Sequence, residues 1–266
     1  MIIRILVILL LLQFAYFAIA QQEPTTNRGS YFGITGGVGT VGMVGQHNYG
    51  LANMSPTPET TYTGGVVGGV TLKKGHTIHA EVVLSWQEYH YQDVRNVYGE
   101  GKRNALVGKD LSFVYFRIPL MYKRIMGIEE GDMDIGDSKF FWGAGIEIGA
   151  LYDVELDYTV NGISDDRFVF NRAFNDNVEY PPANDLVLYK AMDVALTGTA
   201  GWERFLTQHL VFQAELKGTV SMLDINHEDW RIANDDGVYT SSRHFGMNFK
   251  CSLIYYVSKV KRLDVY

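Results

Sequence analysis

Residues Thr77–Gln87 read TIHAEVVLSWQ, and the order of polar and apolar side chains in this run decides the fold. Ile78, Ala80, Val82, Leu84 and Trp86 fall on one side of an extended chain, and Thr77, His79, Glu81, Ser85 and Gln87 on the other. A period of two belongs to a strand, because successive side chains point to opposite faces of a pleated backbone. Here the apolar face is continuous and the opposite face carries charge, as expected of a strand with lipid outside and a polar interior.

The pattern recurs along the chain. Leu210, Phe212, Ala214, Leu216, Val220 and Met222 oppose Gln213, Glu215, Lys217, Thr219 and Ser221, while Phe245, Met247, Phe249, Leu253, Tyr255 and Val257 oppose His244, Asn248, Lys250 and Ser252. Phe140, Trp142, Ala144, Ile146, Ile148 and Tyr152 likewise oppose Gly143, Gly145, Glu147 and Gly149. Eight segments result: Ser30–Val41, Thr61–Lys73, His76–Tyr91, Asp110–Arg124, Ser138–Tyr152, Tyr189–Phe205, Gln208–Asp224 and Thr240–Val257. Each exceeds the ~9–11 residues that a tilted strand needs to cross hydrocarbon.

The connections alternate. The odd ones are long, the fifth most of all, whereas Lys74-Gly75 and Leu206-Thr207 are tight turns and only Ile125–Asp137 breaks the contrast. An up-and-down antiparallel barrel of eight strands produces this order, with short periplasmic turns and long outer loops. A soluble sandwich could alternate similarly, so the aromatic residues are diagnostic. Tyr122, Phe140, Trp142, Trp202, Phe205, Tyr255 and Tyr256 are expected as one interfacial girdle, and Tyr62, Trp86, Tyr89, Tyr91 and Tyr152 as the other. Asn161-Gly162 favours a two-residue hairpin turn, read as projecting above the membrane rather than adding two spanning strands.

Residues 1–20 have Arg4, an apolar run from Ile5 to Ile19 and the small-residue pattern Ala18-Ile19-Ala20, which together read as a cleaved secretory signal peptide. An uncleaved anchor helix is the alternative, although the run is shorter than the ~20 residues a spanning helix needs. A short lead over 21–29 then precedes the barrel at 30–257, and a basic tail occupies 258–266. The single cysteine, Cys251, excludes an intramolecular disulfide.

Without Arg4 there are 22 basic against 30 acidic residues, which argues against nucleic-acid binding. Asp153–Tyr189 carries eight acidic residues with Arg167 and Arg172, and Asn226–Tyr239 carries four with Arg231. Such outer loops could recruit divalent cations or basic partners; the plainer reading is a solvated loop set. The inward faces carry Arg117, Lys123, Lys217 and Lys250 against Glu81, Glu147, Asp193, Glu203 and Glu215. Eight strands enclose a space that side chains fill, so these charges are expected to pair as a plug.

Glycines at Gly33, Gly36, Gly37, Gly39, Gly64, Gly65, Gly68 and Gly69 mark close approach or curvature where a narrow barrel closes, and Pro119 is expected at a bulge. Gly37–Gly42 spells the dinucleotide fingerprint, but no helical period follows it. Asp132, Asp134 and Asp137 around Gly136 lack the spacing and terminal glutamate of a calcium loop and read as an acidic turn. His76 and His79 lie on opposite faces, and His227-Glu228-Asp229 has no second histidine at metal spacing. Outer-membrane deacylases pair a histidine with a serine two positions on; none of the seven histidines is followed so, and His79, Glu81 and Ser85 lie inside the barrel. No catalytic, cofactor or metal residue is assigned, and no cofactor is expected.

Phe113–Lys123, reading FVYFRIPLMYK, resembles the aromatic, Ile-Pro-Leu, Lys strand of the small outer-membrane β-barrel proteins of Bacteroidota, the PorT-like group. The glycine-rich Tyr31–Thr40 and Phe141–Gly149 are similar too. The resemblance implies an outer-membrane barrel and no catalytic residues; the long fifth connection and the basic tail depart from it. The expected protein is thus an integral outer-membrane barrel in contact with lipid and lipopolysaccharide, inserted by the barrel-assembly machinery. It would act through its outer loops as a structural or binding module, or as an envelope or secretion accessory; a lipid-modifying enzyme and a small pore are the alternatives.

Overall fold

A computed structural model describes residues 29–45, 55–72, 75–97, 103–127, 135–160, 163–164, 189–228 and 239–257. Residues 1–28, expected to hold the signal peptide, the C-terminal tail over 258–266 and Asn161-Gly162 lie outside the described residues, as do Asp132, Asp134 and Asp229. The strands are β1 (Ser30–Val44), β2 (Ser55–Thr57), β3 (Glu59–Thr71), β4 (His76–Val97), β5 (Arg103–Ile125), β6 (Ser138–Val160), β7 (Ile163–Ser164), β8 (Met192–Phe205), β9 (Leu210–Ser221) and β10 (Arg243–Tyr256). Eight of them pair antiparallel around a ring in the order β1, β3, β4, β5, β6, β8, β9, β10, and β10 returns to β1 through the register Tyr31↔Tyr256 to Val44↔Arg243. The short β2 adds to the edge of β4, and β7 folds back on β6. The fold is the expected closed eight-stranded up-and-down barrel.

Closure brings backbones together where the inward positions are glycine. A Cβ on Gly39 would stand 2.1 Å from the carbonyl oxygen of Met247, and one on Gly33 2.2 Å from that of Leu253, so the β1 to β10 seam accepts no side chain at these positions. Gly64 instead faces outward into open space and owes nothing to closure.

Two turns at one end of the barrel are tight. Leu72 N–H donates to His76 C=O at 2.6 Å around Gly75, whose φ of 76° is left-handed. Leu206 and Thr207 N–H both donate to Leu210 C=O, and Thr207 Oγ1 accepts from Leu210 N–H at 3.0 Å.

At the other end the outline departs from expectation. The third connection continues as strand on both sides, leaving only 98–102 between β4 and β5, and β6 runs past Tyr152 to Val160. β4, β5 and β6 are 22, 23 and 23 residues long, against 12–15 for the other five barrel strands. Three adjacent strands therefore rise as a wall above the barrel, roughly 25 Å beyond what a bilayer requires at ~3.3 Å per residue and ~40° tilt. At the far end of β6, Val160↔Ile163 and Thr159↔Ser164 pair antiparallel, so β7 turns back along β6, and among the described residues no spanning strand is added between β6 and β8.

Pro119 makes no bulge. It holds regular register with Glu147 on β6, and the β4 to β5 ladder, which lacks partners at Glu81 and Val82, resumes without a shift at Val83↔Arg117. The missing N–H interrupts the ladder but inserts no residue. The bulge lies between Val114 and Tyr115, opposite Asp153 and Leu151, and leaves Tyr152 as the extra residue. Beyond it the faces of β6 exchange, so Val154 is buried while Glu155 and Asp157 face out.

Candidate functional site

The outer surface divides into an apolar belt and an acidic region. Phe32, Ile34, Val66, Ile78, Leu120, Ile146, Ile148, Leu196, Leu216, Met247 and Phe249 are all exposed, and they surround the barrel. On β6 the belt reaches from Phe140 to Tyr152, roughly 30 Å along the barrel axis at ~3.3 Å per residue and ~40° tilt. A soluble protein leaves no apolar surface of this extent uncovered. The belt stops where the wall begins: above Trp86, Phe116 and Tyr152 the outward positions become Glu88, Asp110, Asp153, Glu155 and Asp157. Glu88, His90, Asp110, Glu155 and Asp157, with Glu59, line an open depression of about 350 Å³, in which His90 pairs with Asp110.

The interior has three layers. At the short-turn end Tyr31, Val67, Phe205, Val211, Ile254 and Tyr256 form a buried apolar cluster, with the Tyr31 and Tyr256 rings 5.2 Å apart. Phe205 and Tyr256 are therefore not girdle residues. The inward parity of Glu203 and Ser252 continues to them, and they seal the barrel from within.

The middle layer is an ion lattice. Arg117 Nη1 donates to Glu147 Oε1 at 2.8 Å and to Asp193 Oδ2 at 3.3 Å, and Lys217 Nζ donates to Glu147 Oε2 at 2.6 Å. Lys123 Nζ donates to Glu215 Oε2 at 2.8 Å, and Lys250 pairs with Glu81 and, at 3.4 Å, with Glu215. Thr199 Oγ1 adds a donor to Glu215, Gln213 Nε2 donates to Glu203 at 3.0 Å, and Ser221 Oγ donates to Asp193. The Gln87 amide, with its oxygen toward the guanidinium, accepts from Arg117 Nη2 at 3.1 Å and Nε at 3.2 Å. All nine ionic residues expected inside are buried and engaged. Among the described residues the lattice lines a cavity of about 30 Å³, the scale of a few waters and not of a channel.

The third layer, at the long-connection end, is aromatic. Tyr89 and Tyr91 face inward here, against their expected place in a girdle, because they continue the parity of Ser85 and Gln87. His244 accepts or donates at both ring nitrogens, to Tyr89 Oη at 2.5 Å and Tyr115 Oη at 3.2 Å. Phe113 packs edge-on against Tyr189 at 4.8 Å. The segments around this mouth are tied by Asp224, which accepts from Ser242 N–H at 3.0 Å and Tyr239 Oη at 2.7 Å, while Asn226 Nδ2 donates to Ser242 Oγ at 3.1 Å. Only the short-range Asp224-Ile225-Asn226 turn pattern hinted at this knot in the sequence.

The candidate chemical groups are separated. His79 is held between Tyr31 Oη at 2.6 Å and Glu81 Oε1 at 3.0 Å, whereas Ser85 partners Gln87. His76 faces outward and bonds Tyr122 Oη, as the opposite-face reading required. Gly37–Gly42 lies within β1, as extended strand rather than a turn opening a helix, and among the described residues no helix follows it. His227 and Glu228 are exposed, and Glu228 lies 3.9 Å from Lys190 Nζ. Among the described residues no three His, Cys, Asp or Glu side chains converge as metal ligands, and no helix is long and apolar enough to cross a membrane.

A closed antiparallel barrel, apolar around its circumference and ion-paired inside, defines an integral outer-membrane β-barrel, crossing the bilayer by eight strands. No protein-family model matches the sequence, and no curated protein is significantly similar to it. Among solved structures the chain is similar to Neisserial surface protein A (7% identity, TM-score 0.36, covering 85% of this chain and 98% of the other). It is also similar to OprG of Pseudomonas aeruginosa (12%, TM-score 0.35, covering 86% and 96%) and to Ail of Yersinia pestis (9%, TM-score 0.32, covering 85% and 99%), the last solved with the heparin analogue sucrose octasulfate. At these identities and scores no residue or role passes from them to this chain.

Proposed function

We propose that the protein is a non-conducting outer-membrane anchor that displays its wall and outer connections for binding or envelope organisation. The observation that carries this reading is the filled interior: both ends are plugged by aromatic clusters, and the ion lattice between them leaves about 30 Å³. Elements that exceed the needs of the membrane are concentrated on one side, in β4, β5 and β6, and loops and projections on a rigid scaffold are where binding function resides. In this reading the short turns face the periplasm and the wall faces outward. The PorT-like character of Phe113–Lys123 belongs to the same proposal, as the trait of an envelope accessory whose partner is another envelope protein.

Planar-bilayer recording of the purified protein tests the anchor: conductance at background is expected, and steady single-channel steps would overturn it in favour of a pore. Protease added to intact cells is expected to cut within the outer connections over 98–102 and 165–188. Cleavage confined to 128–134 would reverse the orientation.

A further inference from the structure

The outward strand positions of β4, β5, β6 and β8 differ in charge between the two lipid interfaces. At the wall end those of β4, β5 and β6 are mainly acidic, with Glu88, Asp110, Asp153, Glu155 and Asp157. At the short-turn end they are basic and aromatic: His76 pairs across the ladder with Arg124, Arg124 with Trp142, Phe140 with Trp202, and Ser138 with Arg204. Arg124 and Arg204 thus stand on β5 and β8, on either side of β6, with Phe140 and Trp142 between them. Phe140, Trp142 and Trp202 are all exposed, at the edge of the apolar belt. The Tyr122 ring lies 6.3 Å from Trp142 and bonds His76. Among the described residues no carboxylate faces outward from β4, β5, β6 or β8 at this level. Asp137, in the adjoining turn, lies 4.0 Å from Lys139.

We propose that this arc is a binding site for the headgroup of an anionic phospholipid in the leaflet at the short-turn end. A guanidinium matches a phosphate with parallel N–H donors, and indole and phenol rings rest at headgroup depth with their apolar bodies in the acyl layer. Two such cations flanking three rings hold the phosphate of a lipid whose chains lie along the belt. A free anion has nothing to place on Phe140, Trp142 and Trp202. The proposal rests on the membrane location of the barrel and is independent of what the wall binds.

Quenching of the native tryptophans by brominated lipids tests it. In a Trp86→Phe, Trp230→Phe background the emission comes from Trp142 and Trp202, and vesicles of phosphatidylcholine contain a small fraction of brominated phosphatidylglycerol or brominated phosphatidylcholine. Brominated phosphatidylglycerol is expected to quench with an apparent association constant about five-fold higher or more, the gain of about one guanidinium near an anionic surface. Arg124→Gln and Arg204→Gln each reduce the ratio, their combination brings it to about one, and Arg124→Lys retains most of it. Arg243→Gln, exposed at the other end, leaves it unchanged. Neutralising Glu129, Glu130, Asp132 and Asp134, which fall between Arg124 and Ser138 in the sequence, does not lower it. A wild-type ratio near one, a ratio indifferent to both arginines, or loss of the preference on adding millimolar inorganic phosphate would overturn the proposal.

Discussion

Replacing Glu147 by alanine tests whether the interior is a dry lattice or a wet lumen. Glu147 accepts from Arg117 at 2.8 Å and from Lys217 at 2.6 Å, and all three side chains are almost wholly buried. Its removal leaves Arg117 with Asp193 at 3.3 Å and Lys217 with no carboxylate nearer than Glu81 at 4.0 Å, which is already held by Lys250. Breaking a buried pair by deleting one partner costs about 3–5 kcal/mol, because a desolvated charge is left behind. In a hydrated channel the same pairs would be screened and worth about 0–1 kcal/mol. The expected loss for Glu147→Ala is therefore about 3–5 kcal/mol, read as a lower urea midpoint with unchanged slope when the barrel is unfolded from phospholipid vesicles and followed by tryptophan emission. Adding Lys217→Met removes the stranded ammonium and is expected to restore about 1–3 kcal/mol, a coupling that independent sites do not show. A loss below ~1 kcal/mol without coupling would refute the lattice and with it the non-conducting anchor.

Other perturbations follow from the same structure. Phe205→Ala empties part of the short-turn plug and is expected to cost about 3–5 kcal/mol in the same urea assay; a variant as stable as the wild type would mean that the cluster is not packed. Ile148→Arg, in the lipid belt, is expected to cost about 2–4 kcal/mol, whereas Glu88→Lys, above the belt, changes stability by less than ~1 kcal/mol; equal effects would misplace the membrane edge. Gly39→Ala drives a methyl into the Met247 carbonyl and forces the β1 to β10 seam apart, with a loss of about 1–3 kcal/mol and slower refolding; a neutral result would contradict the close approach.

Much of this protein is legible in one dimension because a strand has only two faces. The alternation in Thr77–Gln87 already separates Trp86 from Glu81, and the same rule placed Arg117, Lys123, Glu147, Lys217 and Lys250 inside before any contact was known. Where the rule was set aside for residue type, it was the residue type that misled. Tyr89, Tyr91, Phe205 and Tyr256 read as interfacial aromatics by chemistry, yet their parity put them in the interior, and the structure follows parity. The bulge at Tyr152 and the regular register at Pro119 show the converse limit. A bulge is chosen by the neighbouring strand, so Pro119, which only lacks a donor, could not announce where it would fall.

By itself the sequence determined the number of spanning strands and their lipid and interior faces, since each depends on local period and length. Only the tertiary structure decided which cation meets which carboxylate, in which register β10 meets β1, and that β4, β5 and β6 continue together as a wall. Those outcomes join residues far apart in the chain, such as Glu81 with Lys250 and Gly39 with Asn248. The curvature and register of eight strands closing on one another select such contacts, and no local pattern encodes them.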